Sequence, residues 1–499
     1  MARRPLSSTT AVLVGAGIAV TAACSSDSSE GGRPVSAVVA DEQNSLPVTS
    51  MPSGDPPERP NVGDAEAGQA EIRDDAYLFD SAKLHTFEFS LAEEDLAVLD
   101  ADPTAEKYVP AAMTFENETL EVGLRYKGSV GAFVGCLDGP DPLRNPSGKK
   151  TCTKLSLKVK INWDDPGDEF LGVRKIQLHA MNNDPSQMRE RVGYHLMREM
   201  GVAAPRATHA RVVVNGEYIG LFALVENIDG RFVRANFDDG SGNLYKEVWP
   251  FAFTGSLNSR GSYVPGEEAV TDEEKFLSSL RTNEDDAGDA SLIREFANEL
   301  LNSENPAAVV REFMDVELLM NQLAVDRTIR HDDGPFHWYC ELVVEDLCGN
   351  HNFFFYEDPS RSKITMIPWD FDNAFANIVR DDNPVTPVAD GLGEITDDCA
   401  IFAYGAFQLP QRSASCDPLF AVWASMEAEY LAAVERLHAG PLSESELDPS
   451  IEMWVEQISA ATAEAADAHG DAVNITRWNR ALDDFSEALD FARNNPIGA

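Results

Sequence analysis

The chain has 499 residues, too many for one ordinary compact core, so we expect one large two-lobed domain or two domains with tails. Its 43% hydrophobic and 25% charged residues are typical of a globular protein and exclude a disordered or membrane-embedded one. The 84 acidic residues exceed the 40 basic ones by 44, which argues against a nucleic-acid partner and favours basic protein partners.

The first 23 residues have the pattern of an export signal. Arg3 and Arg4 precede an apolar run over 11–23 that ends in small residues and is too short for an ordinary transmembrane span. Cys24 follows it, as the lipidated cysteine does in bacterial lipoproteins, although Thr21 stands where leucine is commoner. We predict a lipid anchor at Cys24 as the only membrane attachment of an exported envelope protein, with ordinary cleavage and secretion as the alternative.

Residues 24–71 are predicted to form a disordered tether between this anchor and the folded part. Ser, Pro, Gly, Asp and Glu dominate the segment, and large apolar residues are few. Such a composition buries too little apolar surface to offset the entropy lost on ordering the chain.

Six cysteines follow the tether, an even number that favours disulfides in an exported protein. Metal ligation is the alternative, and it is disfavoured because the CxxC spacing of metal sites is missing. The sequence leaves many pairings open, but short loops cost the least entropy to close. We therefore expect local pairs, Cys136 with Cys152, Cys340 with Cys348, and Cys399 with Cys416.

Residues 72–225 have the pattern of a strand-rich region with one long helix. Ser186 begins that helix and Gly201 ends it. Asn215 and Gly216 lie between two apolar runs, as in a tight hairpin. Apolar and polar residues alternate in the other predicted strands, 84–89, 109–115, 120–126 and 154–161.

Residues 226–499 have a mainly helical pattern, with two short strands at 352–356 and 364–367. A strand-rich part joined to a helical part by one short connection predicts an α+β fold with a cleft between two lobes, where small-molecule sites usually form. Long helices are expected at 307–330, 417–439, 443–468 and 477–494.

A local reversal of charge marks a candidate anion site. Between Glu121 and Lys160 there are eight basic and three acidic residues, a net charge of +5. Lys154 and Lys158 share a predicted strand face, and the segment from Lys127 to Gly131 is small enough to bring backbone N–H groups to a phosphate. The alternative is a solvated edge strand whose lysines prevent edge pairing.

Acidic and amide side chains in the later segments are candidates for proton transfer and cation binding. A carboxylate accepts a hydroxyl proton, and carboxylate and amide oxygens hold a hard cation. The alternatives are ordinary turns and, for the helical glutamate, a solvated surface position. The candidates are Glu190 on the long helix, Asp333 after His331, Asn352 at the start of a strand, and Asp370 and Asp372 after the next one.

The order of these features along the chain is the order of parts in protein-kinase-like phosphoryl transfer. At this point the sequence resembles the CotH (spore coat protein H) kinase-like family. The resemblance covers most of residues 75–380 and includes Leu-Arg-Tyr-Lys-Gly at 124–128. Its most specific motifs are Asn-Gly-Glu-Tyr-Ile-Gly at 215–220 and Pro-Trp-Asp-Phe-Asp at 368–372.

The resemblance implies an atypical two-lobed kinase fold, with a strand-rich N-lobe over 72–225 and a helical C-lobe over 226–499. It implies use of ATP with Mg²⁺ or Mn²⁺, Ca²⁺ being an alternative cation. The implied reaction transfers the γ-phosphoryl group to Ser or Thr of an extracytoplasmic coat or surface protein, whose acceptor sequence is expected to be basic because this chain is acidic.

The resemblance also implies roles on the nucleotide side of the site. Lys154 or Lys158 would contact the α- and β-phosphates, and Glu190 would pair with that lysine. Glu226 would lie near adenine at the connection between the lobes. The glycine loop would cradle the phosphates through Lys127, Gly128 and Ser129.

On the acceptor side, Asp333 would position the hydroxyl that is phosphorylated, with Asp326 as the second choice. Asn352 and Asp370 would bind the metal and Asp372 would support them. Two other functions stay open from the sequence. One is an inert adhesin or a spore or envelope assembly protein that keeps the fold, and the other is a calcium-dependent wall-binding protein.

Overall fold

The computed structural model describes residues 73–140, 146–250, 273–284, 289–331, 333–336, 338–340, 348–375, 401–404 and 409–495. The predicted signal, the tether, Cys24 and Cys399 lie outside these residues. Helices and strands are both abundant, which confirms the α+β class. Within the described ranges, no helix combines the length and the apolar character that crossing a membrane requires.

Seven strands of the first half close into a barrel, in the order β1-β2-β3-β4-β5-β7-β6. Parallel pairing of β1 with β6 completes the ring, so this sheet has no free edge. The sequence predicted a strand-rich region but not its closure. The strands are β1 (His85–Ser90), β2 (Val109–Phe115), β3 (Glu118–Tyr126), β4 (Leu157–Lys160), β5 (Lys175–His179), β6 (Ala207–Val214) and β7 (Glu217–Val225).

Apolar and polar side chains alternate along the barrel strands, so the apolar ones fill the interior and the polar ones lie outside. Leu157 and Val159 on β4, with Ile176 and Leu178 on β5, belong to the hydrophobic cluster of the barrel. Since neighbouring side chains of a strand point to opposite faces, the polar residues between them face outward. On β5 these include Gln177 and His179, which are both buried under later parts of the chain.

Helix α4 (Arg189–Glu199) packs beside the barrel strand β6. It confirms the predicted long helix, and its N-terminal turn carries Glu190, which is 3% exposed. Asp184 stabilises the start of the helix, because its carboxylate accepts hydrogen bonds from the backbone N–H groups of Ser186 and Arg189. Other helices of the first half are α1 (Asp75–Leu78), α2 (Glu93–Ala101), α3 (Val130–Phe133) and α5 (Gly230–Asn236).

The second half contains a sheet of three strands and a sheet of four, surrounded by helices. The strands are β8 (Leu244–Lys246), β9 (Trp338–Cys340), β10 (Cys348–Gly349), β11 (Phe353–Asp358), β12 (Lys363–Pro368), β13 (Phe402–Tyr404) and β14 (Leu409–Arg412). The helices are α6 (Glu273–Ser278), α7 (Ser291–Asn302), α8 (Pro306–Phe313), α9 (Val316–Thr328), α10 (Pro418–Ala424), α11 (Glu427–Ala439), α12 (Glu444–Ala468) and α13 (Ile475–Asn494).

Two predicted long helices are each divided into two. The helix expected over 307–330 breaks at Met314 and Asp315, because the Asp315 carboxylate accepts a hydrogen bond from Leu318 N–H and so begins a new helix there. The helix expected over 417–439 breaks at Ser425 and Met426. Both breaks turn the chain between buried segments, which helical periodicity alone does not reveal.

Buried apolar residues form two clusters, one inside the barrel and one that joins α4 to the second half. Helix α12 connects the two halves directly. The Tyr218 hydroxyl on β7 donates to the Ala461 carbonyl at 3.0 Å, and Arg211 on β6 pairs with Glu464 at 2.9 Å. The barrel and α4 are therefore held by the C-terminal helices as well as by the connection after β7.

Two of the expected disulfides are confirmed, Cys136–Cys152 and Cys340–Cys348. The second joins β9 to β10 shortly before Asn352 in the chain. Cys416 is also disulfide-bonded, and Cys399, its expected partner, lies outside the described residues.

Candidate functional site

Polar side chains from four separate segments meet where the outer face of β5 touches α4 and the ends of β11 and β12. Lys127 comes from the end of β3, His179 from β5, Glu190 from α4 and Asp370 from the segment after β12. We call this set of four the central cluster. Its members are distant in sequence, so the fold of the whole chain brings them together.

A chain of hydrogen bonds joins Lys127 to Glu190 through an imidazole. Lys127 Nζ lies 2.6 Å from His179 Nε2 and 2.7 Å from Gln177 Oε1. His179 Nδ1 lies 2.7 Å from Glu190 Oε1. An ammonium can only donate, so His179 accepts at Nε2 and donates from Nδ1 to the carboxylate. The lysine and the glutamate are thus paired indirectly, with His179 between them.

Burial shifts the protonation of these groups. Burial lowers the pKa of Lys127 although Asp370 and Glu190 oppose the change, and burial raises the pKa of Glu190 against the effect of Lys127. Burial, together with the charge of Lys127, lowers the pKa of His179 to about 3, so its imidazole is neutral at ordinary pH. A neutral imidazole is able to accept a hydrogen bond from a cation.

Carboxylates concentrate next to the central cluster. Burial raises the pKa of Asp370, and Glu190 raises it further by repulsion. Burial and the charge of Asp370 hold the pKa of Asp372 well above its usual range. Burial also raises the pKa of Asp333, while His351 opposes the shift. Such mutual repulsion between acids is relieved when a cation binds among them.

Asn352 and Asp370 both lie at the open end of the β11–β12 hairpin, where Asn352 is opposite Trp369. Asn352 has φ +62° and Asp370 has φ +58°, left-handed conformations that cost most non-glycine residues free energy. The Asn352 carbonyl accepts from Trp369 N–H at 3.0 Å. The Asn352 amide donates to the carbonyl oxygen of Asp333 at 2.9 Å and to its carboxylate at 3.1 Å. Asn352 thus links Asp333 to the segment that carries Asp370.

Two side chains hold the backbone of Asp370 in place. His331 Nε2 donates to the Asp370 carbonyl at 2.6 Å, and the Tyr194 hydroxyl accepts from Asp370 N–H at 2.9 Å. His331 Nδ1 lies 3.0 Å from Asp326 Oδ2, and this carboxylate outweighs burial and raises the pKa of His331. Asp326, the second choice after Asp333, therefore contacts His331 and is connected to Asp370 through this histidine.

The residues present fit a divalent cation. One donor atom each from His179, Glu190 and Asp370 lie within 4.8 Å of one another. Glu190 Oε2 is buried and makes no hydrogen bond to any residue that the structure describes. A buried carboxylate oxygen without a partner is costly, and a bound cation would satisfy it.

Two lysines predicted to contact phosphate lie in different surroundings. Lys154 Nζ donates to the Leu221 carbonyl at 2.6 Å and lies over the Phe222 ring, so Lys154 is held away from the central cluster. Lys158 stands opposite Gln177 in the β4–β5 register and so lies on the same outer face of the barrel. Of Lys127, Lys154 and Lys158, Lys127 is the lysine that belongs to the central cluster.

Glu226 forms an ion pair with Arg206. Its carboxylate accepts two hydrogen bonds from the Arg206 guanidinium, at 2.6 and 3.0 Å, and Arg206 also pairs with Asp75. Its neighbour Asn227 accepts from Gln177 Nε2 at 2.9 Å and so extends the network of Lys127 to the connection after β7. The side chain at this connection that touches the site is Asn227.

The glycine segment after β3 turns into a short helix. Gly128 has φ +142°, and a side chain there would collide with Ala132, so glycine is required. Ser129 is exposed and precedes α3. These two residues therefore set the direction in which the chain leaves Lys127.

Sequence reasoning missed Gln177, His179 and Asn227. The strand that carries the first two, β5 (Lys175–His179), was not predicted. The alternation of Ile176 and Leu178 with Gln177 and His179 is the signal that would have found it, since polar residues on an otherwise apolar strand mark a second buried face.

Comparison with known proteins gives a consistent result. A family profile described as CotH kinase protein matches residues 124–494, more than half of the chain. Inner spore coat protein H of Bacillus subtilis is 23% identical over 293 residues, which cover 58% of this chain and 69% of that protein. Invasin CotH2 of Rhizopus delemar is 27% identical over 229 residues, 44% of this chain and 35% of the invasin. The chain thus matches about a third of that invasin's length.

Proposed function

Because the chain belongs to the CotH kinase protein family, we propose that it is an exported atypical kinase with a two-lobed kinase-like fold. It transfers the γ-phosphoryl group of ATP to Ser or Thr of an extracytoplasmic protein. The observation that carries the proposal is the central cluster, in which a lysine linked to a helical glutamate faces an aspartate that follows a buried strand. The barrel half would form one lobe and the helical half the other.

In this proposal Lys127 takes the role that the family resemblance implied for Lys154 or Lys158. Its ammonium is held in place by Gln177 and His179, so it is oriented before a nucleotide binds. A fixed cation next to a phosphate stabilises the negative charge that moves during phosphoryl transfer. Lys158, one strand away from Gln177, adds positive potential on the same face.

A divalent cation held by Asp370 with Asn352 and Asp372 would neutralise charge on the phosphates of ATP. The residues of the chain prepare that position. His331 and Tyr194 fix the backbone of Asp370, and its left-handed φ of +58° aims the carboxylate away from the path of β12. Fixing the aspartate in advance lowers the cost of organising the site when ATP arrives.

Asp333 is the proposed general base, whose carboxylate receives the proton of the acceptor hydroxyl. The Asn352 amide donates to its carboxylate at 3.1 Å, and Tyr339 is a further hydrogen-bond partner that orients it. Burial raises the pKa of Asp333, which makes its carboxylate a stronger base than an exposed aspartate. The net charge of −44 favours an acceptor sequence rich in Lys or Arg.

The printed names of the relatives support a surface location and a second candidate function. One relative is called an inner spore coat protein and others are called invasins. We propose that the chain is exported and, through Cys24, attached to the envelope. An inert adhesin or assembly protein with the same fold is the second candidate.

Labelling and melting experiments separate the two functions. The kinase proposal predicts transfer of ³²P from ATP to a basic Ser/Thr peptide with Mg²⁺ or Mn²⁺, and loss of transfer in Asp370→Asn. It also predicts that ATP with metal raises the melting temperature, because a ligand stabilises the state that binds it. Absence of both effects in a folded protein would favour the adhesin.

A further inference from the structure

His179 has donor atoms in the same small volume as two carboxylates. One donor atom each from His179, Glu190 and Asp370 lie within 4.8 Å of one another, and the three residues come from β5, from α4 and from the segment after β12. His179 and Glu190 are 6% and 3% exposed, so water competes poorly for these atoms. A histidine with two carboxylates is a ligand set of mixed nitrogen and oxygen donors.

Glu190 supplies an independent sign that a cation belongs there. Its Oε1 accepts from His179, but its Oε2 is buried and makes no hydrogen bond within the described part of the chain. No hydrogen bond among the residues that the structure describes explains why this oxygen is kept from water at a free-energy cost. A metal ion that contacts Oε2 would account for it.

Lys127 already contacts the His179 nitrogen that a metal ion would need, because Nδ1 of this ring donates to Glu190 and leaves Nε2 as the acceptor. Its ammonium is 2.6 Å from His179 Nε2, and it is attracted by Asp370 and Glu190. A nitrogen with one lone pair cannot serve both an ammonium and a metal ion. Lysine carries its charge on a flexible stem of four carbons, so Lys127 is able to move to a phosphate when another cation replaces it.

We propose that His179, Glu190 and Asp370 form a binding site for a first-row transition-metal ion, and that the Lys127 ammonium competes with the ion for this site. Mg²⁺ prefers oxygen ligands alone, whereas an imidazole nitrogen favours transition metals such as Zn²⁺ or Fe²⁺, and Mn²⁺, which suits the two carboxylates, is the first-row ion used as the probe. The use of the metal in phosphoryl transfer rests on the proposed function. The binding of the metal does not.

The ligand role of His179 is tested with Mn²⁺ and no nucleotide. Electron paramagnetic resonance of the full chain measures free and bound Mn²⁺, and pulsed measurements detect ¹⁴N coupling from a coordinated imidazole. We expect ¹⁴N coupling in the wild type and at least tenfold weaker binding, without that coupling, in His179→Asn. The matched control is His195→Asn, since His195 lies on α4 but faces Trp454. It should bind like the wild type.

The competition is tested by removing the ammonium. Lys127→Met should bind Mn²⁺ about tenfold more tightly than the wild type, because the competing cation is gone. Lys154→Met is the matched control, because Lys154 is held by the Leu221 carbonyl away from the cluster. It should leave Mn²⁺ affinity unchanged. Weaker or equal binding by a folded Lys127→Met variant would contradict the competition.

The outcomes distinguish this inference from the proposed function. Bound Mn²⁺ without ¹⁴N coupling, no bound Mn²⁺, or binding unaffected by His179→Asn would overturn the inference, even if ³²P transfer occurs. Mn²⁺ bound through His179 in a protein that transfers no phosphate would support the inference and count against the kinase.

Discussion

Lys127 and Glu190 do not touch each other through a direct ion pair but are connected by His179, with distances of 2.6 Å on the lysine side and 2.7 Å on the glutamate side. The imidazole is neutral, because burial and the charge of Lys127 lower its pKa to about 3. The orientation of the lysine therefore depends on a strand of the barrel, β5, as well as on helix α4.

Replacing the connecting imidazole should reduce phosphoryl transfer more than it reduces stability. His179→Phe removes one of the two acceptors of Lys127, leaving Gln177, and keeps a ring of similar size in the same space. We expect kcat to fall about a hundredfold, as is typical when a group that positions charge is displaced, with a smaller change in KM for the acceptor peptide. Steady-state kinetics beside a melting curve measure both. A loss of kcat that merely follows unfolding would refute the positioning role.

A methyl group at Gly334 should disturb Asp370 without touching it. A Cβ there would collide with the ring of His331, whose Nε2 donates to the Asp370 carbonyl at 2.6 Å. We expect Gly334→Ala to lower the rate of transfer at least tenfold, since the aspartate loses a fixed backbone partner. Gly349→Ala is the control, because its Cβ would have no neighbour within 4 Å. Equal rates in the two variants would exclude the effect.

The stability of the helical half should depend on pH through Glu357. Burial raises the pKa of this carboxyl to about 7, from an ordinary value of 4.5. The folded state thus holds the proton more tightly than the unfolded state, so stability from this group is present below pH 4.5 and is lost as pH rises to about 7. The loss is on the order of 3 kcal/mol. Urea unfolding at pH 5 and pH 8 measures it.

Glu357→Gln should reduce this pH dependence by its own share, since glutamine does not titrate, while Asp417, whose pKa burial also raises to about 7, retains its share. Glu299→Gln, a change at an exposed position on α7, is the control and should keep the slope of the wild type. If Glu357→Gln retained that slope, Glu357 would not be its source.

The disulfide before Asn352 should support both stability and activity. Cys340–Cys348 joins β9 to β10 in the part of the chain that lies between Asp333 and Asn352. We expect Cys340→Ser with Cys348→Ser to lower the free energy of unfolding by about 2 kcal/mol, as is typical of closing a short loop. Transfer should fall with it, because Asn352 follows β10 closely. Denaturant titration and ³²P transfer check the two effects. Unchanged activity in the folded variant would show that this disulfide does not support the site.

Much of the fold was predictable because alternation, turns and helix starts are local signals. Asn215-Gly216 predicted the β6–β7 hairpin, and neighbouring cysteines predicted two disulfides. Closure of the barrel was not predictable, because it depends on parallel pairing between β1 and β6, which are far apart in sequence. Such pairing follows from the packing of the whole sheet, so the sequence of either strand alone does not indicate it.

The candidate site was predicted in part for the same reason. Asp370 and Asn352 follow and precede recognisable strands, so their closeness across one hairpin could be expected. The choice among Lys127, Lys154 and Lys158 could not, since all three lie in one basic segment. Only the outer face of β5, with Gln177 and His179, distinguishes Lys127 from the others.

The most direct test of the account compares two lysine variants in the same transfer assay. Lys127→Met and Lys154→Met each remove a buried or half-buried ammonium from the first half of the chain, and both proteins are checked for folding by circular dichroism. With [γ-³²P]ATP, divalent metal and a basic Ser/Thr peptide, we predict that Lys154→Met labels the peptide like the wild type and Lys127→Met labels it at least a hundredfold more slowly. Equal labelling by all three proteins, or loss of labelling in Lys154→Met alone, would contradict the assignment of Lys127 to the phosphates of ATP.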